Sequence, residues 1–320
     1  MLEKRGLGLV LRGKIKAGRA PVGAFSRATV FSGVVPCRWG QEAGNGIGLR
    51  WARCWKGGTA LENKEGADRV FGRIRIFNAI MAVLHALQGI LMLALSSDYS
   101  LPVTTTFLRG GGPLDQPRSP EVLVRLRIGP LVAAFLFLSA LAHFLLVLPG
   151  IFEWYRKNLS RGMNPARWME YSLSASLMIV LIAMLSGIYE LGALVLIFFL
   201  NACMILFGWL MELMNQYTER LEWLPFYFGC LAGIVPWVVV AVYFFGALAD
   251  PQAQVPTFVY FILPILFVLF NVFAVNMVLQ YRKVGPWRDY LFGERIYILL
   301  SLVAKSFLAW MVFGGTLRGS

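Results

Sequence analysis

Seven separate apolar stretches run through this chain, at about 76–95, 128–148, 166–189, 192–214, 225–248, 256–281 and 294–314. At ~1.5 Å of rise per residue, about 20 residues of helix cross the hydrocarbon core of a bilayer, and every stretch reaches that length. Charges and helix breakers separate them: Pro149 with Gly150, Asn164 with Pro165, Glu190, the Glu219–Glu222 turn, Asp250 with Pro251, and Gly285 with Pro286. Pro236 and Pro264 fall inside the fifth and sixth stretches, where neighbouring helices can satisfy the carbonyls that a proline leaves free. Only 15% of the residues are charged, against about 25% in a soluble domain. The reading is an all-α membrane protein, a bundle of seven transmembrane helices.

The formal charge of +13 does not belong to that bundle. Residues 1–75 hold fifteen Lys and Arg against five Asp and Glu; from residue 76 onward the counts are fifteen and twelve. A nucleic-acid partner is therefore not indicated, because the basic excess sits in a leader and not on a folded face. Residues 1–70, basic and rich in Gly, are expected to stay outside the fold, leaving 71–317 as the domain. An organellar transit peptide, a basic arm on anionic headgroups and an upstream stretch from a wrong start codon all fit such a leader. Cysteine spacing suggests neither a zinc site nor a disulfide framework.

Orientation follows from the short loops. Arg156, Lys157, Arg161 and Arg167 follow the second stretch, and Arg282, Lys283 and Arg288 follow the sixth, on the same side as the basic N-terminus. The positive-inside rule makes that side cytoplasmic and the C-terminus extracellular, in a multi-pass protein of the cell membrane. The longest outside loop spans 96–127. Its Val103–Leu108 run followed by Gly110–Pro113 reads as a strand and a turn. A small hairpin that caps the bundle or meets a second subunit and an irregular solvated loop both fit it.

Ionisable groups inside the stretches are few. Lys305 lies about eleven residues, or ~16 Å of helix, from the start of the last stretch, too deep for its stem to carry the charge to water. An ammonium at such depth costs about 2.5–3.5 kcal/mol on insertion scales. A lone buried lysine among aromatics suits a Schiff base with an aldehyde cofactor. A lysine in a wet cavity or a structural ion pair is the plainer alternative. Lys305 reads as the only buried cation, and Glu170 as the only carboxylate away from the end of a stretch. Both histidines of the chain, His85 and His143, fall in stretches, with Ser172, Ser174, Ser176, Asn201 and Ser301 as uncharged polar company. The topology puts Glu170, His85, His143 and Ser301 in the cytoplasmic half. A helical side chain leans toward its own N-terminus, so the Lys305 amine shares a face with Ser301 and finds Glu170 as its counter-charge. Taken singly, each has a duller role: a histidine bonding a carbonyl, serines bonding their own helix, Asn201 joining two helices, and Trp237, Phe244, Phe267 and Phe270 packing or facing lipid.

The stretch Glu170–Met178 (Glu-Tyr-Ser-Leu-Ser-Ala-Ser-Leu-Met), the stretch Ser301–Ser306 (Ser-Leu-Val-Ala-Lys-Ser), the two histidines and the basic start together resemble the heliorhodopsins over residues 70–317. Those are seven-helix bundles of rhodopsin type, set in the membrane upside down relative to other microbial rhodopsins. The resemblance implies covalently bound all-trans retinal on Lys305 as a Schiff base, with Glu170 as counterion and Ser301 close to the linkage. His85 and His143 would belong to a polar cavity on the cytoplasmic side. Asn201, and with it Ser174, Trp237 and Phe267, would stand near the chromophore. Ala175 interrupts the serine-rich stretch, a departure that bears on local hydrogen bonding. The resemblance further implies a homodimer and a light sensor with a cytoplasmic signalling partner, neither pump nor enzyme. A light-driven or passive ion transporter and a receptor for a diffusible ligand are the competing classes.

Overall fold

The computed structural model describes residues 60–108, 119–250, 252 and 257–317. In chain order these form α1 (Ala60–Leu95), β1 (Ser100–Thr105), β2 (Glu121–Arg127), α2 (Ile128–Leu145), α3 (Pro149–Leu159), α4 (Pro165–Leu185), α5 (Leu191–Met214), α6 (Leu224–Ala249), α7 (Thr257–Tyr281) and α8 (Tyr290–Val312). Among the described residues, seven helices are long and apolar enough to cross a membrane, all of them except α3. The expected leader lies outside the described residues as far as residue 59. Its last part does not: α1 begins at Ala60, and its apolar span at Gly66.

Local chemistry fixes where the helices start. Asn164 caps α4 by accepting from the Arg167 N–H, and Pro165 follows at a position whose own N–H would have no helical partner. Glu190 caps α5 and Asp289 caps α8 in the same way. The bundle closes by pairwise packing of α1 on α2, α2 on α4, α4 on α5, α5 on α6 and α7 on α8, with α8 also touching α1 and α2. The two ends of the bundle differ. One, here the basic end, carries the start of α1, all of α3 and the turns around residues 160, 218 and 285; the other carries the two strands.

The loop after α1 is a hairpin. Leu101 faces Leu126 and Val103 faces Val124, with an irregularity between Val103 and Thr104. The first strand sits at 100–105, three residues before the expected Val103–Leu108 run, and the expected turn at Gly110–Pro113 lies outside the described residues. Leu101 and Val103 are buried, whereas Val122, Leu123 and Val124 of β2 are exposed. Thr104 donates its N–H to the Tyr189 carbonyl at 2.8 Å, tying the hairpin to the turn after α4.

The region after α2, read in the sequence as a charged loop, begins with the short amphipathic helix α3. Phe152, Tyr155 and Leu159, spaced three and four apart, bury against Phe71 and Ile74 of α1 and against Leu146. Arg156 lies over the Phe71 ring and Arg75 over the Phe152 ring, at 5.2 and 5.0 Å. Of the charges that mark the loop, Arg156 and Lys157 therefore belong to a helix whose other face is core.

Candidate functional site

Lys305, near the middle of α8, is 2% exposed. Its ammonium donates to Glu170 Oε1 on α4 at 2.9 Å and to Ser301 Oγ, one turn earlier on α8, at 2.8 Å. Ser139 of α2 places its hydroxyl 2.6 Å from the same carboxylate oxygen. The Tyr171 ring lies 5.1 Å from the ammonium, and the Tyr171 hydroxyl donates to the Tyr297 carbonyl at 2.8 Å. A charge at this depth persists because every neighbour answers it: one carboxylate, one hydroxyl and the negative face of one ring.

The two histidines meet between α1 and α2. His85 of α1 and His143 of α2 stack with ring centroids 5.8 Å apart and planes within 6°. His143 Nδ1 lies 2.7 Å from Asn78 Oδ1, two helical turns before His85. His85 is fully buried, and neither of its ring nitrogens has a hydrogen-bond partner among the described residues. Ser174, a turn after Glu170, is buried without a normal hydrogen bond, though near enough to interact with the carboxylate. Asn201 stands apart: its amide donates to Ser176 Oγ at 3.1 Å, joining α5 to α4.

A cavity of about 420 Å³ opens on the other side of the amine. Tyr297, Ser301, Ala304 and Lys305 form its α8 wall; Trp237, Phe267 and Phe270 are among its other aromatic residues. Trp237 meets Phe267 and Phe270 edge to face, each with centroids 5.4 Å apart. Glycines make the space: Gly208, Gly229 and Gly233 line it. At position 208 a Cβ would stand 2.5 Å from the Trp168 ring. Of the residues expected near a chromophore, Trp237 and Phe267 line this cavity together with Lys305 and Ser301. Asn201, Ser174 and the histidines do not.

An amine and its counter-charge at one end of an aromatic hollow is the arrangement for which a family assignment decides the chemistry. A sequence model of the heliorhodopsin family matches residues 74–317. The chain belongs to the heliorhodopsin family. None of the curated proteins compared with it matches. As a heliorhodopsin it is a retinal-binding, light-sensing membrane protein of the photoreceptor type. Its own residues suit that ligand, since retinal is an apolar polyene with one reactive polar end. The cavity is within the usual range for small-molecule pockets, about 300–1,000 Å³, and its lining is mainly apolar and aromatic.

This heliorhodopsin holds a second buried cluster that the sequence did not announce. Arg167 of α4 bridges Glu212 of α5, at 2.6 Å, and Glu294 of α8, all three at most 3% exposed. The reading of Lys305 as the only buried cation is thereby corrected; Glu212 and Glu294, at the ends of their stretches, are buried carboxylates beside the mid-stretch Glu170. Trp168 Nε1 donates to Glu212 at 2.6 Å, Asn164 Nδ2 to Glu294 at 2.7 Å, and the Tyr290 hydroxyl to Glu212 at 3.1 Å. The guanidinium also lies against the Trp168 and Tyr297 rings, 4.3 and 3.8 Å from their centroids, and both rings line the cavity. Arg167 counted as a loop charge and the two glutamates as segment ends. Their signal was that each stands within a turn of a tryptophan or tyrosine: Trp168, Trp209 and Tyr297.

Proposed function

We propose that this chain is a light sensor that holds all-trans retinal covalently on Lys305 as a protonated Schiff base, and that it signals without pumping ions. The observation that carries this reading is the Lys305–Glu170 ion pair, whose lysine lines the aromatic cavity. Lys305 Nζ is the one amine lining that space, and Glu170 supplies the negative charge that keeps a nitrogen there protonated. Ser301 orients the nitrogen and Ser139 orients the carboxylate. Trp237, Phe267 and Phe270 exclude water from the apolar length of the pocket. Retinal, when bound, supplies a change of shape on absorbing light. Once the nitrogen at Lys305 is displaced, its proton has Glu170 Oε1 as the carboxylate acceptor within hydrogen-bond reach. The stacked His143 and His85, on the α2 and α1 side of Glu170, hold ring nitrogens that can share the charge beyond it.

The exit for a signal lies toward the basic end. The buried Arg167 cluster sits there, whereas the opposite half of α4 offers only Met178, Ile179, Leu181, Ile182 and Met184, all buried. A pump needs groups on both sides of the moving proton, and this half provides none. Arg156, Lys157, Arg161, Arg282, Lys283 and Arg288 gather at the basic end, which supports placing it in the cytoplasm. The exposed Val122, Leu123 and Val124 of β2 support a homodimer formed at the hairpin.

The test is colour. Protein expressed with all-trans retinal carries a visible absorption band, and Lys305→Ala abolishes it while leaving an inserted, folded chain. A full band in Lys305→Ala overturns the assignment.

A further inference from the structure

At the basic end a second cavity, of about 540 Å³, opens between the turn after α5, the turn after α7 and the start of α8. Arg220, Lys283 and Arg288 line it, against Glu219 as the one carboxylate, which leaves two positive charges in excess. None of the three cations makes an ion pair among the described residues. Lys283 is also held at φ 52°, in the left-handed region that a side-chain-bearing residue seldom adopts. Like charges gathered in one concavity repel one another unless an anion joins them, and two of the three are guanidiniums, the groups that best match a phosphate in shape and charge.

The cleft is also wired to the interior. Tyr290 lines it and donates to Glu212, which binds Arg167 and accepts from Trp168, and Trp168 lines the cavity that Lys305 faces. From this chain of contacts we infer that the cleft binds a phosphate group, and that its occupancy and the state of the Lys305 site influence each other through Tyr290 and Glu212. Two sources present that chemistry at a membrane surface: the headgroup of an anionic phospholipid and a soluble phosphate compound. Linkage makes the effect on equilibria reciprocal, so phosphate at the cleft shifts the balance between states of the Lys305 site as much as that balance shifts phosphate affinity. The inference about coupling rests on the light-sensor reading; the binding site does not.

The experiment uses the full chain with retinal in phosphatidylcholine nanodiscs, with inorganic pyrophosphate as the probe. Calorimetry is expected to show saturable binding that weakens as salt rises, and that weakens about tenfold or more in the R220Q/K283Q/R288Q variant. Pyrophosphate changes the recovery time of the visible band after a flash by about twofold, a modest coupling. In Glu212→Gln, a residue outside the cleft, binding persists and the change in recovery is lost. Nanodiscs of phosphatidylglycerol assign the source: loss of pyrophosphate binding there means that the headgroup already fills the cleft, and undiminished binding means a soluble ligand. No saturable binding together with identical recovery in the two lipids overturns the site, and so does undiminished binding in the triple variant. Binding without any effect on recovery overturns the coupling. A chain that forms no pigment but binds pyrophosphate through these three residues sinks the sensor reading and leaves the site standing.

Discussion

One carboxylate decides the behaviour of the amine at the centre of this protein. Glu170 is the only acidic group in contact with Lys305 among the described residues, and both are buried. Removing its charge leaves a protonated nitrogen in an apolar surrounding with only Ser301 and the Tyr171 ring to answer it. In Glu170→Gln a larger share of the pigment is expected to absorb in the ultraviolet at pH 8 than in the parent, with the remaining visible band shifted red. Matching spectra and matching alkaline titrations would count against Glu170 as the counter-charge. Lys305, Glu170 and Ser301 were legible in the sequence because a charge in the middle of an apolar run is conspicuous and helical spacing sets its neighbours. Ser139 was not, since a serine on a membrane helix ordinarily bonds its own helix, as Ser139 also does toward Phe135. Arg167, Glu212 and Glu294 escaped notice for another reason: at the end of a span, burial depends on which helices meet there, and one sequence does not say.

At the scale of single helices, small residues and one ionic clasp determine how α4, α5 and α8 fit. Gly208 of α5 faces Trp168 so closely that any side chain displaces the ring, and with it the hydrogen bond to Glu212. Gly208→Ala should lower stability by about 1–3 kcal/mol and move the visible band, because both residues line the Lys305 cavity. Gly246→Ala in α6 is the internal control: a Cβ there meets nothing within 4 Å, so its effect is limited to a helix-propensity gain of at most about 1 kcal/mol. Thermal loss of pigment in the two variants measures the contrast, and equal losses would mean that the close approach at Gly208 is relieved cheaply. Arg167→Met leaves two buried carboxylates facing each other and should cost about 3–5 kcal/mol, most of it restored when Glu212→Gln and Glu294→Gln are added. A single variant as stable as the parent would show that the clasp carries no such load. Helix centres were legible in the amino-acid pattern here, and helix ends were not. Apolar length marks a span, but α3 and the first ten residues of α1 are amphipathic or polar, and their helical state depends on what they lie against.

The molecule as a whole is lopsided. Buried charge and imidazole lie between Lys305 and the basic end, and the hairpin half of α4 packs Leu181, Ile182 and Met184 with no exposed surface to speak of. Illuminated vesicles carrying the pigment are therefore expected to show no sustained pH change that an uncoupler abolishes; a steady, uncoupler-sensitive shift would replace the sensor by a transporter. Sidedness is checked by labelling single cysteines in a chain whose native cysteines are replaced by alanine. Ser119→Cys beside the hairpin should react in intact cells, and Val284→Cys at the basic end only after the membrane is opened. The reverse pattern would mean that charge counting misplaced the ends.

The hollow beside Lys305 has a bearing on how long each copy of the chain survives. A space of about 420 Å³ without side chains forfeits the dispersion contacts that a filled interior would make. Whatever occupies it favours the folded chain by mass action, increasingly so as its concentration exceeds the dissociation constant. In that sense the chromophore is a piece of core that arrives after synthesis. Chains that never receive it open more often, and proteases take them first. The steady-state amount of this protein in a cell then follows pigment supply, with no change in the rate at which it is made.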